Sequence, residues 1–252
     1  VLGVASVIVM LAVGEAARYQ ALKQLEDLGS TTILLRSVKP TDEPAQRQGV
    51  DLLAYGITFR DLDRIRATVP TVAAATPMRE YRKTVRHLER KTEVRVIGIT
   101  PDFFRQHNVR LVAGRGVVAA DEAAFAPVAV LGSAAAEALF PTQDPIGRAA
   151  TVERPDRPRA FAVVGGSAPK TPAAGADGGD SDFNKVVFIP FQTDRVRFGP
   201  DLMTMKAGSF SIERVEISQV TVSVGAVADV PRTARAVQSL LDQYHPRKDV
   251  AV

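Results

Sequence analysis

The first thirteen residues of the chain, VLGVASVIVMLAV, carry no charge, and the next seven, GEAARYQ, bring Glu15 and Arg18 at once. This abrupt change of solvent preference constrains the chain more than anything downstream of it. As an α-helix, thirteen residues rise about 20 Å, whereas the hydrocarbon core of a bilayer is about 30 Å thick. A secretion signal starts with basic residues, and none precedes the run. The helical pattern also runs on: Ala21, Leu22, Leu25 and Leu28 recur at helical spacing, with Glu15, Arg18, Lys23, Glu26 and Asp27 on other faces and Gly29 at a C-cap position. The pattern predicts one helix of about 28 residues, apolar all round in its first half and amphipathic in its second. Such a profile fits the outer half of a membrane helix that begins upstream of Val1 and emerges into water. Its lipid-facing residues would be Val1, Leu2, Val4, Val7, Ile8, Val9, Leu11 and Val13. The plainer alternative, a core helix of a soluble domain, does not account for an apolar surface on every side.

Beyond the helix, TTILLRS reads as a buried strand over residues 32–36, and KPTDEPAQRQG, residues 39–49, as a polar loop. Thr58 and Asp61 form a capping-box pair ahead of Phe59, Leu62, Ile65 and Val69, and Pro70 stops that helix. Residues 72–99 read as two strands around a turn at 89–92. EISQVTVSV alternates as a strand, and Asp229 and Pro231 open a helix with the stripe Val237, Leu240, Leu241 and Tyr244. KDVAV begins a closing strand. Strand, helix and strand thus occur at both ends of the chain, and the two units are expected to share one sheet with helices on one face. Residues 101–184 read as an insertion: a short helix at 102–106, a strand at 128–131, a helix at 133–140 with Ser133 as its N-cap, and strands near 149–152 and 160–164. Its loop KTPAAGADGGDSD is rich in Gly, Ala and Asp. The expected fold class is α+β: a membrane-emergent helix over 1–29, a discontinuous α/β domain over 30–100 and 185–252, and a smaller mixed α/β subdomain over 101–184.

Chemistry is mostly excluded. With no cysteine there is no disulfide framework, thiolate-bound zinc or thiol nucleophile, and His87, His107 and His245 are scattered. A formal charge of +4, with no basic run interleaved with aromatics, argues against nucleic acid. In FAVVGGSAPKT the two glycines a phosphate loop needs are replaced by Val164 and Pro169 ahead of Lys170, and proline has no N–H to offer a phosphate. Asp177, Asp180 and Asp182 lack the spacing and the closing glutamate of a calcium loop. Ser133 stands in LGSAAA, not in a nucleophile elbow. No catalytic, cofactor-binding or metal-ligating residue is expected. One cluster remains: Arg79, Arg82, Lys83, Arg86, Arg90, Lys91 and Arg95 crowd the hairpin, relieved by Glu80, Glu89 and Glu93. Arg79, Arg82, Lys83 and Arg86 are the candidates for docking an acidic partner, and a solvated hairpin face is the alternative.

Four stretches, in order along the whole chain, carry a family resemblance. GVASVIVMLAVGEAARYQALKQLEDLGSTTILLRS is similar to the end of the first membrane helix and first strand of MacB-type ABC transporter permeases, in the FtsX-like permease superfamily. GITPDFFRQHNVRLVAGR, PVAVLGSAAAEALFPTQDPIGR and VVFIPFQT resemble that family's entry into its inserted subdomain, the segment after it, and the return strand. The resemblance implies a periplasmic domain on an inner-membrane protein, with a discontinuous Porter-like part and an inserted Sabre-like part. It implies no enzymatic activity and no cofactor in this domain, and motion transmitted from a cytoplasmic ATPase. The implied partners are membrane lipid, an ABC ATPase subunit or domain and a second permease copy, with a periplasmic adaptor and outer-membrane channel in many members. Some members export macrolides or peptides and others release lipoproteins, so the resemblance names no substrate. A periplasmic or secreted ligand-binding module is the reading from another class. A small hydrolase has no nucleophile–base pair to support it.

Overall fold

The structure is a computed structural model that describes residues 31–40, 51–154, 157–170, 183–206, 209–247 and 249–252. The expected N-terminal helix with its lipid-facing residues Val1 to Val13, most of the 39–49 loop, and Asp177, Asp180 and Asp182 lie outside the described residues. Among the described residues no helix is long and apolar enough to cross a membrane.

An open wing forms the first part of the fold. In β1 (Thr32–Ser37) the two-residue period of a strand buries Ile33 and Leu35 and exposes Leu34 and Arg36. It pairs antiparallel with β12 (Gln219–Val224), placing Leu35 opposite Val220, and β12 pairs antiparallel with residues 72–78 of β3 (Val72–His87). Two helices cover one face. In α1 (Phe59–Thr68), Asp61 and Thr58 cap each other reciprocally, as their spacing predicts, and Leu62 and Ile65 turn inward. In α6 (Val230–Tyr244), Pro231 sits in the first turn and Val237 and Leu241 are buried. These residues pack with Ile33, Leu35, Ala75, Val220 and Val222 into one apolar cluster. The two terminal units thus share a sheet with helices on one face, as expected.

The remainder closes on itself. β3 is a single 16-residue strand, and its second half pairs with β4 (Arg90–Ile99). β4 pairs parallel with β9 (Val186–Pro190), which meets β6 (Val128–Leu131), which meets β8 (Arg159–Ser167). β7 (Ala149–Val152) then pairs with both β8 and the end of β3, which completes a six-stranded barrel. Alternation fills its lumen: Tyr81 and Val85 from β3, Val94 and Val96 from β4, Val187 and Ile189 from β9, Ala129 and Leu131 from β6, Phe161 and Val163 from β8, and Ala150 and Val152 from β7. Leu139 of α4 (Ser133–Leu139) and Phe198 of α5 (Phe191–Phe198) join this cluster, with the Phe198 ring 6.0 Å from Phe161 and nearly parallel to it. Outside the barrel, Ile97, Ile99, Val130 and Phe188 pack against Phe103 and Phe104 of α2 (Phe103–Gln106).

Several local expectations need correction. The turn between β3 and β4 is Leu88–Glu89, earlier than 89–92, with Leu88 at φ +50 and Arg90 already paired to His87. Gly132, not Ser133, is the N-cap of α4. A Cβ at Gly132 would lie 2.3 Å from the carbonyl oxygen of Asn184, so only glycine permits this crossing. A separate three-stranded sheet of β10 (Asp201–Lys206), β11 (Ser209–Arg214) and β2 (Asp51–Ala54) had no clear signal in the sequence. The long sheet ends at β13 (Val250–Ala251) beside β1, and at β5 (Leu111–Gly114) beside β8.

Candidate functional site: the basic hairpin and its buried root

The structure splits the predicted basic cluster. Odd-numbered residues of β3 face the lumen side of the sheet and even-numbered ones face outward. Arg82 and Arg86 therefore stand exposed on the barrel's outer surface, and Lys83, on the lumen-side register opposite Val94, is half-buried. On the outer surface Arg82 lies directly across from Arg95, and Arg86 from Lys91. Like charges facing each other across two strands cost stability. Diagonal carboxylates relieve this: Arg95 Nη1 donates to Glu80 Oε2 at 3.3 Å, and Glu93 sits diagonal to both Arg82 and Arg86. The face remains net positive at the far end of the strand.

Arg79 does not belong to that surface. It is 2 % exposed, which removes it from any docking set. Its position on the lumen side, where the wing curls into the barrel, points it at α5. There its Nη1 donates to Asp194 Oδ2 at 3.2 Å, and the Tyr81 hydroxyl donates to Asp194 Oδ1 at 2.5 Å. Burial pushes the Asp194 carboxyl up, against the pull of Arg79 and of the Tyr81 hydroxyl. Burial likewise pushes the Tyr81 hydroxyl up, and the adjoining Asp194 adds to it. Gly98, directly opposite Arg79, makes room for this triad, because a Cβ there would come 3.0 Å from Asp194 Cβ. The start of α5 is held by Glu122 of α3 (Ala119–Ala123), whose Oε1 and Oε2 accept from Phe191 N at 2.6 Å and Gln192 N at 3.0 Å. Burial pushes the Glu122 carboxyl up in spite of these two bonds.

The other sequence candidates are tied into the scaffold. Lys170 donates its Nζ to the His107 carbonyl at 2.6 Å, and its backbone exchanges hydrogen bonds with the Asn184 side chain. A Cβ at Gly165, five residues earlier in the FAVVGGSAPKT stretch, would lie 2.1 Å from the Arg115 carbonyl oxygen, so a side chain has no room there. Ser133 Oγ donates to Asn184 Oδ1 at 3.1 Å. His87 Nδ1 lies 2.8 Å from the Ala149 carbonyl oxygen. His245 stands between Asp249 Oδ1 at 2.9 Å and Asp61 Oδ2 at 3.1 Å. His107 stacks on Phe103 at 4.2 Å, and burial together with the charge of Lys170 brings its pKa down to about 4.

Comparison with known proteins places this arrangement in a family. A profile described as the MacB-like periplasmic core domain matches residues 1–240. The chain is 29 % identical over its full 252 residues to the macrolide export ATP-binding/permease protein MacB of Azoarcus sp. (strain BH72), covering 34 % of that protein. It is 33 % identical over 213 residues to the pyoverdine export ATP-binding/permease protein PvdT of Pseudomonas putida, covering 82 % of this chain and 30 % of the relative. The chain thus spans about a third of the length of the curated relatives it matches. Among solved structures, the periplasmic region of MacB from Actinobacillus actinomycetemcomitans superposes with a TM-score of 0.63 at 17 % identity, covering 92 % of each chain. The extracellular domain of the ABC-type transporter YknZ from Gram-positive bacteria does so with a TM-score of 0.61 at 18 % identity, covering 88 % of this chain and 98 % of that one. At these identities the two likenesses establish a shared fold.

Proposed function

The chain belongs to the MacB-like periplasmic core domain family, and from that premise we propose that it is the extracytoplasmic domain of an ABC-type export permease in the inner membrane. In this reading the domain performs no chemistry. It receives motion through the helix of residues 1–29, set in lipid by Val1 to Val13, and delivers that motion to the periplasmic side. ATP is hydrolysed elsewhere, in a nucleotide-binding domain or partner chain, and a second copy of the permease completes the machine. We take the division of the family, Porter-like over 30–100 and 185–252 and Sabre-like over 101–184, to apply here, with β6, β7 and β8 of the inserted part docked onto β9 and β3.

The observation that carries the mechanical reading is the course of β3. Thr31 lies beside Val224, and Val224 beside Val72, so β3 starts where the N-terminal segment joins the sheet. From there it runs 16 residues, with one register shift against β12 at Val72–Ala74, to the hairpin tip, a span of up to about 50 Å at the rise of a strand. It is hydrogen-bonded to β12 in its first half and to β4 in its second. A strand laddered along its whole length, first to one neighbour and then to the other, resists bending, because flexure breaks ladder bonds, so displacement of β1 and β12 reaches the hairpin. β13 runs antiparallel to β1, with Ala251 opposite Arg36, so the chain leaves the sheet toward the side from which it entered. That suits a domain suspended between two membrane spans. The outward Arg82 and Arg86, with Lys83 at the edge, would meet an acidic surface on an adaptor at the far end.

The test uses the complete transporter that carries this domain. Replacing residues 32–252 by a short linker is expected to leave ATP hydrolysis within about a factor of two and to abolish export; export that survives the replacement overturns the reading. Arg82→Glu with Arg86→Glu is expected to weaken adaptor capture while the variant stays folded, and unchanged capture and export would assign the basic face to solvation alone.

A further inference from the structure

We infer that the tip of the β3–β4 hairpin is a socket for one apolar side chain of a partner protein, carried on a segment whose neighbouring residues are acidic. A cavity of about 220 Å³ opens there, between the turn and the end of α4. Leu139, the last residue of α4, and Phe140 after it line its depth, and Leu88, Arg90 and Pro141 are exposed at its rim. His87 is fixed as a wall: its ring lies 4.2 Å from that of Phe140, and its Nδ1 donates to the Ala149 carbonyl at 2.8 Å. The lining is mostly apolar. The volume lies below the roughly 300–1,000 Å³ of sites for drug-sized molecules, a size that suits a single side chain.

Two local costs converge on this tip. Leu88 is 73 % exposed and holds φ +50, a left-handed conformation that glycine or asparagine takes with less strain. A leucine there gives up both burial and backbone ease, and what it provides is an aliphatic surface beside the cavity. One step down the ladder Arg86 faces Lys91, and further along Arg82 faces Arg95. Among the described residues Arg82, Arg86, Arg90 and Lys91 are in no ion pair, and the carboxylates of this stretch in the same condition are Glu89 and Glu93. The unspent charge around the tip is therefore positive. Local rules broken together in one small hairpin mark a place held for function. At about 3.3 Å per residue, the neighbours of an apolar residue seated in the cavity come level with Arg90 and with the Arg86–Lys91 pair, where carboxylates are attracted and cations repelled. The inference rests on the reading of the basic face as a docking surface, and adds to it an apolar anchor in a pocket with charged residues around it.

The probe is a fluorescently labelled peptide with one leucine between two acidic residues on each side. One control replaces its leucine by alanine, the other its carboxylates by carboxamides. Read by anisotropy, the leucine peptide is expected to bind the full chain saturably in the millimolar range or tighter, and each control at least about fivefold more weakly. Leu88→Gly keeps the turn, because glycine takes a positive φ without strain, and is expected to cut leucine's advantage over alanine to less than about twofold while the acid dependence stays. Arg86→Gln with Lys91→Gln is expected to do the reverse. If the leucine and alanine peptides bind alike while the carboxylates still matter, the socket is overturned and the docking reading stands. A leucine preference that survives Leu88→Gly puts the apolar contact elsewhere and also overturns the inference. Carboxylates that make no difference remove the docking reading and the inference with it, as does the absence of saturable binding.

Discussion

The barrel and the wing share one strand, β3, and bury it in different ways. In the wing its neighbours β1 and β12 are covered on one face by α1 and α6, and β1 leaves Leu34 and Arg36 to solvent on the other. In the barrel, β6, β9 and the second half of β4 are buried on both sides, with the lumen within and the aromatic cluster of Phe103, Phe104 and Phe188 without. Closure removes two edges and supplies an interior, so the barrel is the stiffer body and the wing the more compliant one. For a domain read as a transmitter of motion, this places the yielding part next to the input and the rigid part at the output.

The comparison breaks most sharply on the outer faces. Phe188→Ala, in the barrel's outer cluster, is expected to cost about 3–5 kcal/mol in urea unfolding, whereas Leu34→Ser, on the outer face of the wing, should stay within about 0.5 kcal/mol. Equal losses would mean that the wing's outer face is covered after all. Acid offers the next test. Because the folded pKa of His107 is lowered to about 4 from 6.5, the unfolded chain binds the extra proton between those values. The neutral imidazole's contribution is complete above pH 6.5 and is lost as pH falls to about 4, up to about 3 kcal/mol. In the wing, burial raises the Asp61 carboxyl, but hydrogen bonds from Thr58 and His245 outweigh it and hold the carboxyl below its ordinary value. Its contribution is therefore present above the ordinary carboxylate range and goes only as pH drops below it. Hydrogen exchange between pH 6.5 and 4 should thus show the His107 side of the barrel loosening first, and His107→Phe should flatten the change; loosening that starts in the wing would contradict the ordering.

Smaller effects sharpen the picture. Glu122→Ala strips the first two N–H groups of α5 of their acceptor and is expected to cost about 2 kcal/mol, with hydrogen exchange rising first in α5, the helix that bridges both halves. Arg86→Glu converts the repulsive pair with Lys91 into an attractive one and should raise stability by about 0.5 kcal/mol, read as a small upward shift in Tm. A fall instead would mean that the diagonal attraction of Arg86 to Glu93 outweighs its repulsion from Lys91.

What could be read from the sequence was what is local. The capping box of Thr58 and Asp61 spans three residues, and the alternation in EISQVTVSV is written in the strand itself, so both were legible. The burial of Arg79 was not, because its partner Asp194 lies 115 residues away and Glu80, Arg82 and Lys83 after it are charged. Nor was barrel closure, which rests on the parallel pairing of β4 with β9 and on the short double pairing of β7. The hairpin turn was misplaced because Leu88 takes a left-handed conformation without the glycine or asparagine that signals one. Ser133 has the chemistry of a cap, yet its neighbour Gly132 holds the position because a side chain there would strike the Asn184 carbonyl.

At one margin the long sheet finishes in the four residues of β5, whose pairing slips register between Leu111 and Ala113. An edge this short and irregular offers a neighbouring molecule little template for continuing the ladder. Copies of the domain crowded side by side would meet on that margin through side-chain surfaces, which can be separated and rejoined with every cycle.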